Sequence, residues 1–201
     1  MRFKTVKSDS QSYYSDRGSK FQGFLKPVQS SSEFRQKLKS IRKENSKSTH
    51  VCSAYRIIES GNIQERSSDD GEPSGSAGQP ILNEIKRNNI INAAVFIVRY
   101  YGGTKLGIPG LIHAYSETAK LSVLNNKIVD WSLTNKYTLL HSYKETDFVD
   151  FLIVKYKATL LERDFDLFVT SYIQINENLC KFFQSDIKDK SSDSISIKEL
   201  K

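Results

Sequence analysis

Apolar residues follow two spacings along this chain, every second residue in some segments and every third or fourth in others. The first spacing is typical of half-buried strands and the second of amphipathic helices. A continuous apolar run from Ala93 to Val98 indicates a strand that is covered on both faces or central in its sheet. Up to residue 133 the pattern first predicts strands 2–8 and 20–28, and then a helix that begins after the capping-box pair Ser30 and Glu33. Strand 50–58 and a polar loop over 59–79 follow. The last predicted elements of this part are a helix from Pro80 to Asn88, strand 93–98 and a helix over 109–125.

The pattern changes after Trp131, where shorter elements follow one another closely. They are strand 132–142, helix 146–156, strands 158–163 and 165–175, helix 176–186, a polar turn over 186–196 and strand 194–199. This βαββαβ order is typical of a ferredoxin-like domain. We therefore expect an α+β protein with two domains, residues 1–133 and 134–201.

The first of two glycine-rich segments runs from Ser68 to Pro80, directly before a predicted helix. Unpaired amides and the helix dipole at such an end attract anions. The segment lacks the Lys-Ser/Thr that ends a Walker phosphate loop, and its acidic side chains would repel phosphate unless a cation or Arg66 intervened. Its candidate anion-binding residues are Ser74, Gly75, Ser76 and Gly78.

The second glycine-rich segment, residues 98–111, joins the apolar strand to a helix. Its basic residues suit phosphate, and its tyrosines suit stacking on bases. The glycines are equally explained by a tight strand-to-helix turn, so both explanations stay open. The candidate nucleic-acid-binding residues are Arg99, Tyr101, Gly102, Gly103, Thr104, Lys105 and Gly107.

The net charge of +7 is concentrated at the beginning of the chain, because residues 1–50 hold 12 basic and 4 acidic residues. The remainder is close to neutral. A basic patch is predicted on the exposed face of the first helix, formed by Arg35, Lys39, Arg42 and Lys43. Localised Lys and Arg neutralise phosphate, so RNA is one expected partner, and an ordinary solvated helix is the alternative.

Other classes of site and location have weak support. Neither a secretory signal nor an apolar run long enough to span a bilayer is present, so we expect a cytoplasmic protein with no membrane partner. Cys52 and His50 lack an obvious third catalytic group. Asp69, Asp70 and Glu72 are weak metal candidates, since they lack EF-hand spacing. We expect no cofactor and no enzymatic activity.

The two glycine-rich segments, together with Gly110, Leu111, Ala114 and Tyr115, resemble the signature of the IMPACT/YigZ family in its bacterial two-domain form. The resemblance implies a first domain of ribosomal-protein-like βαβ type, similar to domain IV of elongation factor G, and a ferredoxin-like second domain. Eukaryotic members of this family are translational regulators. Two positions depart from the family pattern: Pro109 interrupts a glycine run, and His113 replaces a basic residue.

These observations lead to one expectation with two alternatives. We expect a non-enzymatic RNA- or ribosome-associated factor, related to translation regulators of the IMPACT family. The first alternative is a divalent-metal-dependent enzyme acting on phosphoesters or other small molecules. The second is a protein-binding regulatory module whose partner is a translation-regulatory protein.

Overall fold

The structure is a computed structural model that describes residues 3–59, 61–191 and 194–200. The chain divides into two compact units, residues 1–131 and 132–201. The strands are β1 (Phe3–Val6), β2 (Ser10–Asp16), β3 (Ser19–Pro27), β4 (His50–Glu59), β5 (Asn62–Ser68), β6 (Ala93–Tyr100), β7 (Ile128–Trp131), β8 (Thr134–His141), β9 (Thr159–Phe165), β10 (Val169–Asn176) and β11 (Ser196–Leu200). The helices are α1 (Ser31–Glu44), α2 (Gly78–Arg87), α3 (Gly107–Leu124), α4 (Thr146–Lys155) and α5 (Glu177–Ser191).

The first unit is built on a five-stranded antiparallel sheet with strand order β2-β3-β6-β4-β5. The apolar strand β6 lies in the centre, as its continuous apolar run predicts. Seven of its eight residues are buried, because helices cover both of its faces. β1 and β7 form a separate antiparallel pair.

Helices lie on both faces of this sheet. On one face, α2 and α3 pack over Phe21, Cys52 and Ile97. On the other face, α1 packs over Phe96 and Tyr55, which point the opposite way because side chains alternate along a strand. The glycine-rich segments and the basic helix therefore belong to different layers of the unit.

The predicted hydroxyl cap of α1 is confirmed, but the second bond of a capping box goes to the amide of Gln29 and not to that of Ser30. The Ser30 hydroxyl accepts a hydrogen bond from the Glu33 amide at 3.1 Å, and the Glu33 carboxylate accepts one from the Gln29 amide at 2.7 Å. These bonds satisfy two backbone donors at a helix end that the helix itself leaves unpaired. The Gln29 bond is the main reason that the pKa of Glu33 is lowered.

Two strands of the sheet lie where no strand was expected. β2 occupies residues between the first two predicted strands, and β5 lies inside the segment expected to be a loop over 59–79. Both are edge strands with mostly exposed, polar side chains. An edge strand needs only one hydrogen-bonded neighbour and little apolar burial, so hydrophobic alternation does not reveal it.

The second unit contains a four-stranded antiparallel sheet with order β11-β8-β10-β9. α4 and α5 contribute Leu152 and Phe183 to a core with Tyr137 and Ile173 of the sheet. The observed element order is βαββαβ, with a 3₁₀ turn over 143–145 before α4.

Three boundaries in this unit differ from those expected. β9 extends to Phe165, and β10 begins only at Val169. α5 continues to Ser191, so the polar turn expected over 186–196 is wrong for its first six residues. Polar residues fit the exposed face of a helix as well as they fit a turn. Residues 192 and 193 lie outside the described residues. No helix in the described part of the chain is both long and apolar enough to cross a membrane.

Candidate functional site

The first glycine-rich segment connects β5 to α2 and is shaped by one carboxylate. Asp69 accepts hydrogen bonds from the amides of Gly75, Ala77 and Gly78 at 2.8–2.9 Å. Burial alone would raise the pKa of Asp69, but these three bonds outweigh it and hold the pKa below its ordinary value. Asp69 therefore already occupies the amide cradle that was expected to bind an external anion.

One of the two serine hydroxyls before α2 also has a hydrogen-bond partner within the protein. Ser76 is buried and donates its hydroxyl hydrogen to the Pro73 carbonyl at 2.6 Å. Ser74 and Gly75 are exposed. Gly78 is buried, and a Cβ there would lie 2.6 Å from the Ser68 amide nitrogen. Of the four candidate anion-binding residues, only Ser74 thus presents an exposed polar side chain.

The second glycine-rich segment passes very close to the turn between β2 and β3. A Cβ at Gly102 would lie 1.9 Å from the Gly18 carbonyl carbon, a distance that real atoms do not adopt. Gly103 and Gly107 have φ values of +87° and +71°, a region that favours glycine. The glycines therefore meet a backbone requirement, as the tight-turn explanation predicts.

Arg99 anchors the base of this second segment and is only 5% exposed. Its guanidinium donates to Glu72 at 2.6 Å and to the Ser19 hydroxyl at 3.3 Å. The same Glu72 oxygen accepts a bond from Tyr115 at 2.8 Å. The structure thus differs from the expectation that Arg99 contacts phosphate, because its charge is neutralised inside the protein.

The two glycine-rich segments meet at an open cleft of about 340 Å³. Arg99 and Glu72 lie at its base, and Lys105 and Tyr101 are exposed. Thr104, Gly102 and Gly103 are exposed in the same loop. The remaining lining residues are Pro73, Leu106, Gly107, Ile108 and Leu111. The structure thus brings the two segments together, and Asp69, Glu72 and Ser76 of the first segment form hydrogen bonds within the protein.

The N-terminus of α3 opens onto this cleft without a side-chain cap. Unpaired amides at a helix N-terminus carry partial positive charge. Arg17, from the β2–β3 turn, donates to the Leu106 carbonyl at 3.0 Å and adds a cation here. Sequence reasoning missed Arg17 because only the hairpin brings it to α3; its one local signal is the Arg-Gly turn.

The predicted basic patch lies on α1, and all four of its members are exposed. Arg42 pairs with Asp70, which also accepts a bond from the Val51 amide at 2.7 Å. α1 covers the opposite face of the sheet from α2 and α3. The structure therefore does not bring the patch into the cleft, and Arg42 connects it to the first glycine-rich segment through Asp70.

The metal candidates each have protein partners. Asp69 binds backbone amides, Asp70 binds Arg42 and Val51, and Glu72 binds Arg99 and Tyr115. Within residues 3–59, 61–191 and 194–200, no group of three or more His, Cys, Asp or Glu side chains is arranged to hold a metal ion.

Cys52 is fully buried, with its sulfur 2.9 Å from the Asp69 carbonyl and 3.2 Å from the Tyr115 hydroxyl. Burial raises the pKa of this thiol strongly, so the reactive thiolate is disfavoured. Its neighbour His50 bonds through Nδ1 to the Asp70 carbonyl at 2.7 Å. Both side chains help to hold the first glycine-rich segment against β4.

The fold and the cleft define a two-unit mixed α/β protein with a cleft between two glycine-rich segments in its first unit. The family model of the Impact N-terminal domain matches residues 17–123, which include both glycine-rich segments. The chain belongs to the IMPACT family, in agreement with the resemblance of its two segments.

Known relatives support this membership. IMPACT family member YvyE of Bacillus subtilis is 37% identical over 115 residues, which are 57% of this chain and 52% of that protein. The match thus spans about half of the relative. An IMPACT family member of Haemophilus influenzae is 29% identical over 80% of this chain and 78% of its own length. The crystal structure of a hypothetical protein aligns with 100% of this chain and 98% of its own, at 22% identity and a TM-score of 0.67, a likeness of fold alone.

Proposed function

We propose that this protein is a non-enzymatic RNA- or ribosome-associated factor that acts in translation regulation. Its contact surface would be the cleft between the two glycine-rich segments. We further propose that the first unit is the IMPACT-type domain, similar to domain IV of elongation factor G, and that the second is ferredoxin-like. The antiparallel sheet order β11-β8-β10-β9 with both helices on one core supports the latter assignment.

One observation carries the proposal: the uncapped N-terminus of α3 follows exposed Lys105 in the chain and lies beside the Arg17 guanidinium, whose Nε is 3.4 Å from Asp16. A helix N-terminus and two cations form a favourable site for a phosphate. Glu72 is the acidic residue in the lining, and Arg99 neutralises it. The cleft therefore offers net positive charge to a polyanion.

The side chains of the cleft would have different roles in binding RNA. Lys105 contacts phosphate as a flexible point charge. Tyr101 offers a ring that is 48% exposed and whose hydroxyl donates to the Gly103 carbonyl at 2.7 Å, so the ring is preset for stacking on a base. Arg99 lies 5.5 Å from the Tyr101 ring centroid and acts as a positioning residue. Its buried Nε has no hydrogen-bond partner within the described residues.

The test is equilibrium binding of the full chain to fluorescently labelled single-stranded RNA and to purified ribosomal subunits at about 50 mM salt, where phosphate contacts are strong. Lys105→Ala and Arg17→Ala should each weaken binding. Lys127→Ala is the matched control, because Lys127 is exposed just beyond the opposite end of α3. No binding to either target, or equal binding by all variants, would contradict the proposal.

A protein-binding module is the second candidate, favoured by exposed Ile108 at the edge of the cleft. Its expected partner is a translation-regulatory protein. Crosslinking in a cell lysate with and without nuclease separates the two candidates. Capture that survives nuclease and is lost in Ile108→Ser favours the protein partner, and capture that nuclease abolishes favours RNA.

A further inference from the structure

On the α1 face of the first sheet, most of β2 and β3 has no helix packed over it, whereas α3 covers the other face of these strands. α1 packs its apolar side, including Phe34 and Leu38, over β4 and β6. The outward side chains of β2 and β3 on this same face lie beyond that contact and are polar or aromatic: Gln11, Tyr13, Ser15, Lys20 and Gln22. This open face lies on the opposite side of the sheet from α2 and α3.

Tyr13 is the most prominent side chain of the open face and is 68% exposed. Its hydroxyl donates to the Gln11 amide oxygen at 3.1 Å and accepts from the Gln22 amide nitrogen at 3.1 Å. Two hydrogen bonds at its tip hold an aromatic ring that is otherwise surrounded by solvent. A ring already held in place loses little further freedom when a ligand stacks on it.

A shallow, mostly apolar pocket of about 320 Å³ lies beside this ring. Tyr100, on the far side of β3, forms another part of its lining and donates its hydroxyl hydrogen to Asn45 at 2.9 Å. Lys20 and Gln22 lie on the strand between the two tyrosines. The pocket thus combines aromatic rings, an amide and a cation, which match the faces, edges and phosphate of a nucleotide.

The charge of the open face fits a polyanion. Among the five side chains of this face Lys20 carries the charge, since β2 itself contains no basic residue. Lys20 makes no ion pair with any described residue. A flat aromatic surface with free positive charge favours single-stranded RNA over an acidic peptide, because a peptide does not need planar stacking partners.

We infer that the open face between Tyr13 and Tyr100 is a stacking platform for single-stranded RNA, separate from the cleft at α3. The inference rests on the proposed function in naming RNA as the ligand, and it adds a second contact surface on the opposite side of the sheet. An RNA strand held at both surfaces would pass around the edge of the sheet formed by β2 and β3.

The experiment measures binding of the full chain to a labelled 12-nucleotide oligouridine at about 50 mM salt. Stacking on an aromatic side chain is worth about 1–3 kcal/mol per base, so Tyr13→Ala should weaken binding about 5-fold to 150-fold. Tyr13→Phe keeps the ring and should retain most of the affinity. Tyr143→Ala removes an exposed tyrosine from the second unit and should leave binding unchanged.

Lys105→Ala, measured in parallel, separates this inference from the proposed function. Loss of affinity in Lys105→Ala with none in Tyr13→Ala overturns the platform and leaves the cleft. Loss in Tyr13→Ala alone supports the platform and counts against the cleft. Salt-sensitive binding to ribosomal subunits without binding to oligouridine also overturns the platform alone. If polyglutamate competes as well as unlabelled oligouridine does, the face attracts any polyanion and the stacking assignment is wrong.

Crosslinking gives a readout that does not depend on affinity. With 4-thiouridine in the oligonucleotide, trypsin digestion after Lys7 and Arg17 releases residues 8–17, which contain Tyr13. A crosslink assigned to Tyr13 within this peptide supports the platform, and one assigned to Arg17 alone, which lies at the cleft, overturns it. Crosslinks confined to residues 101–111 or to the second unit overturn it.

Discussion

Two carboxylates of the first glycine-rich segment determine the shape of the cleft. Asp69 gathers three backbone amides before α2, and Glu72 joins Arg99 to Tyr115 beneath the cleft. Both carboxylates accept hydrogen bonds from groups of the protein itself. Both hold the loops in the conformation that leaves Lys105 and Tyr101 exposed. Replacing either carboxylate should therefore mainly lower the free energy of unfolding.

The buried ion pair gives the largest expected effect of a single substitution. Arg99 and Glu72 have side-chain exposures of 6% and 4%, and removing one partner of such a pair leaves an unpaired buried charge. We expect Glu72→Ala to lower the free energy of unfolding by about 3–5 kcal/mol. Lys37→Ala, which breaks the exposed pair with Glu33, should cost less than about 1 kcal/mol.

Urea unfolding followed by tryptophan fluorescence measures this difference, since Trp131 is the single tryptophan and lies in the first unit. Equal midpoints for Glu72→Ala and Lys37→Ala would show that the pair is not buried as described.

Asp69 gives a pH dependence with a definite sign. Its folded-state pKa lies below the ordinary value of 3.8, so its stabilising effect is complete above about pH 4 and is lost as the pH falls through the folded-state pKa. Hydrogen bonds to a charged group contribute about 1.5–3 kcal/mol. Asp69→Asn should therefore be less stable than wild type at pH 7.

The stability difference between wild type and Asp69→Asn should shrink as the pH is lowered from about 5 to 2. Asp130→Asn, an exposed position, is the control and should show no such convergence. A constant difference across this range would mean that the three amide bonds do not depend on the carboxylate charge.

Individual elements of the first unit depend on local signals that can be tested separately. α1 begins at a hydroxyl cap, from Ser30 to the Glu33 amide. Ser30→Ala should destabilise the unit by about 1 kcal/mol, because an amide at the helix N-terminus loses its acceptor. Ser32→Ala, at an exposed position in the same turn, should have almost no effect. Chemical denaturation compares the two, and equal stabilities would rule out the cap.

The close approach of the two turns restricts which residue can occupy position 102. In Gly102→Ala the new Cβ would overlap the backbone of Gly18, and one of the two turns must move. We expect Gly102→Ala to destabilise the unit by about 1–3 kcal/mol more than Gly75→Ala does. Gly75 has open space around it, although its φ of +75° disfavours a side chain by itself. Thermal unfolding measures the difference, and equal melting temperatures would contradict the packing of Gly102 on Gly18.

These elements differ in how far sequence alone could predict them. The cap of α1 and the central position of β6 are local properties, visible as a Ser-x-x-Glu spacing and an apolar run. β2 and β5 were missed because their partners, β3 and β4, supply the hydrogen bonds while their side chains remain polar and exposed.

The candidate site was predictable only in outline. Glycine residues marked both segments and basic residues marked the second, and the structure brings the two segments together. The inward roles of Asp69 and Arg99 were not predictable, because their partners depend on the folded path of the chain. Arg17, in the β2–β3 turn, lies 89 residues before its partner Leu106 in the chain. Sequence spacing carries no information over such a separation.

The fold shows where the charged residues of the chain lie in the molecule. The excess of basic residues in the first 50 positions lies on β1–β3 and α1, whereas the family signature lies in a neutral segment around the cleft. Bulk positive charge attracts any polyanion, and only the cleft residues provide directed contacts. These two contributions differ in how they respond to salt and to substitution.

The measurement that tests the central claim most directly is the salt dependence of RNA binding by wild type, Lys105→Ala and Lys127→Ala. If Lys105 contacts a phosphate in the cleft, its loss should reduce the slope of log affinity against log salt concentration by about 0.7, the value for one contact to a single strand. Lys127→Ala should keep the wild-type slope. An unchanged slope in Lys105→Ala, or an equal reduction in both variants, would contradict the assignment of the cleft as the RNA-binding site.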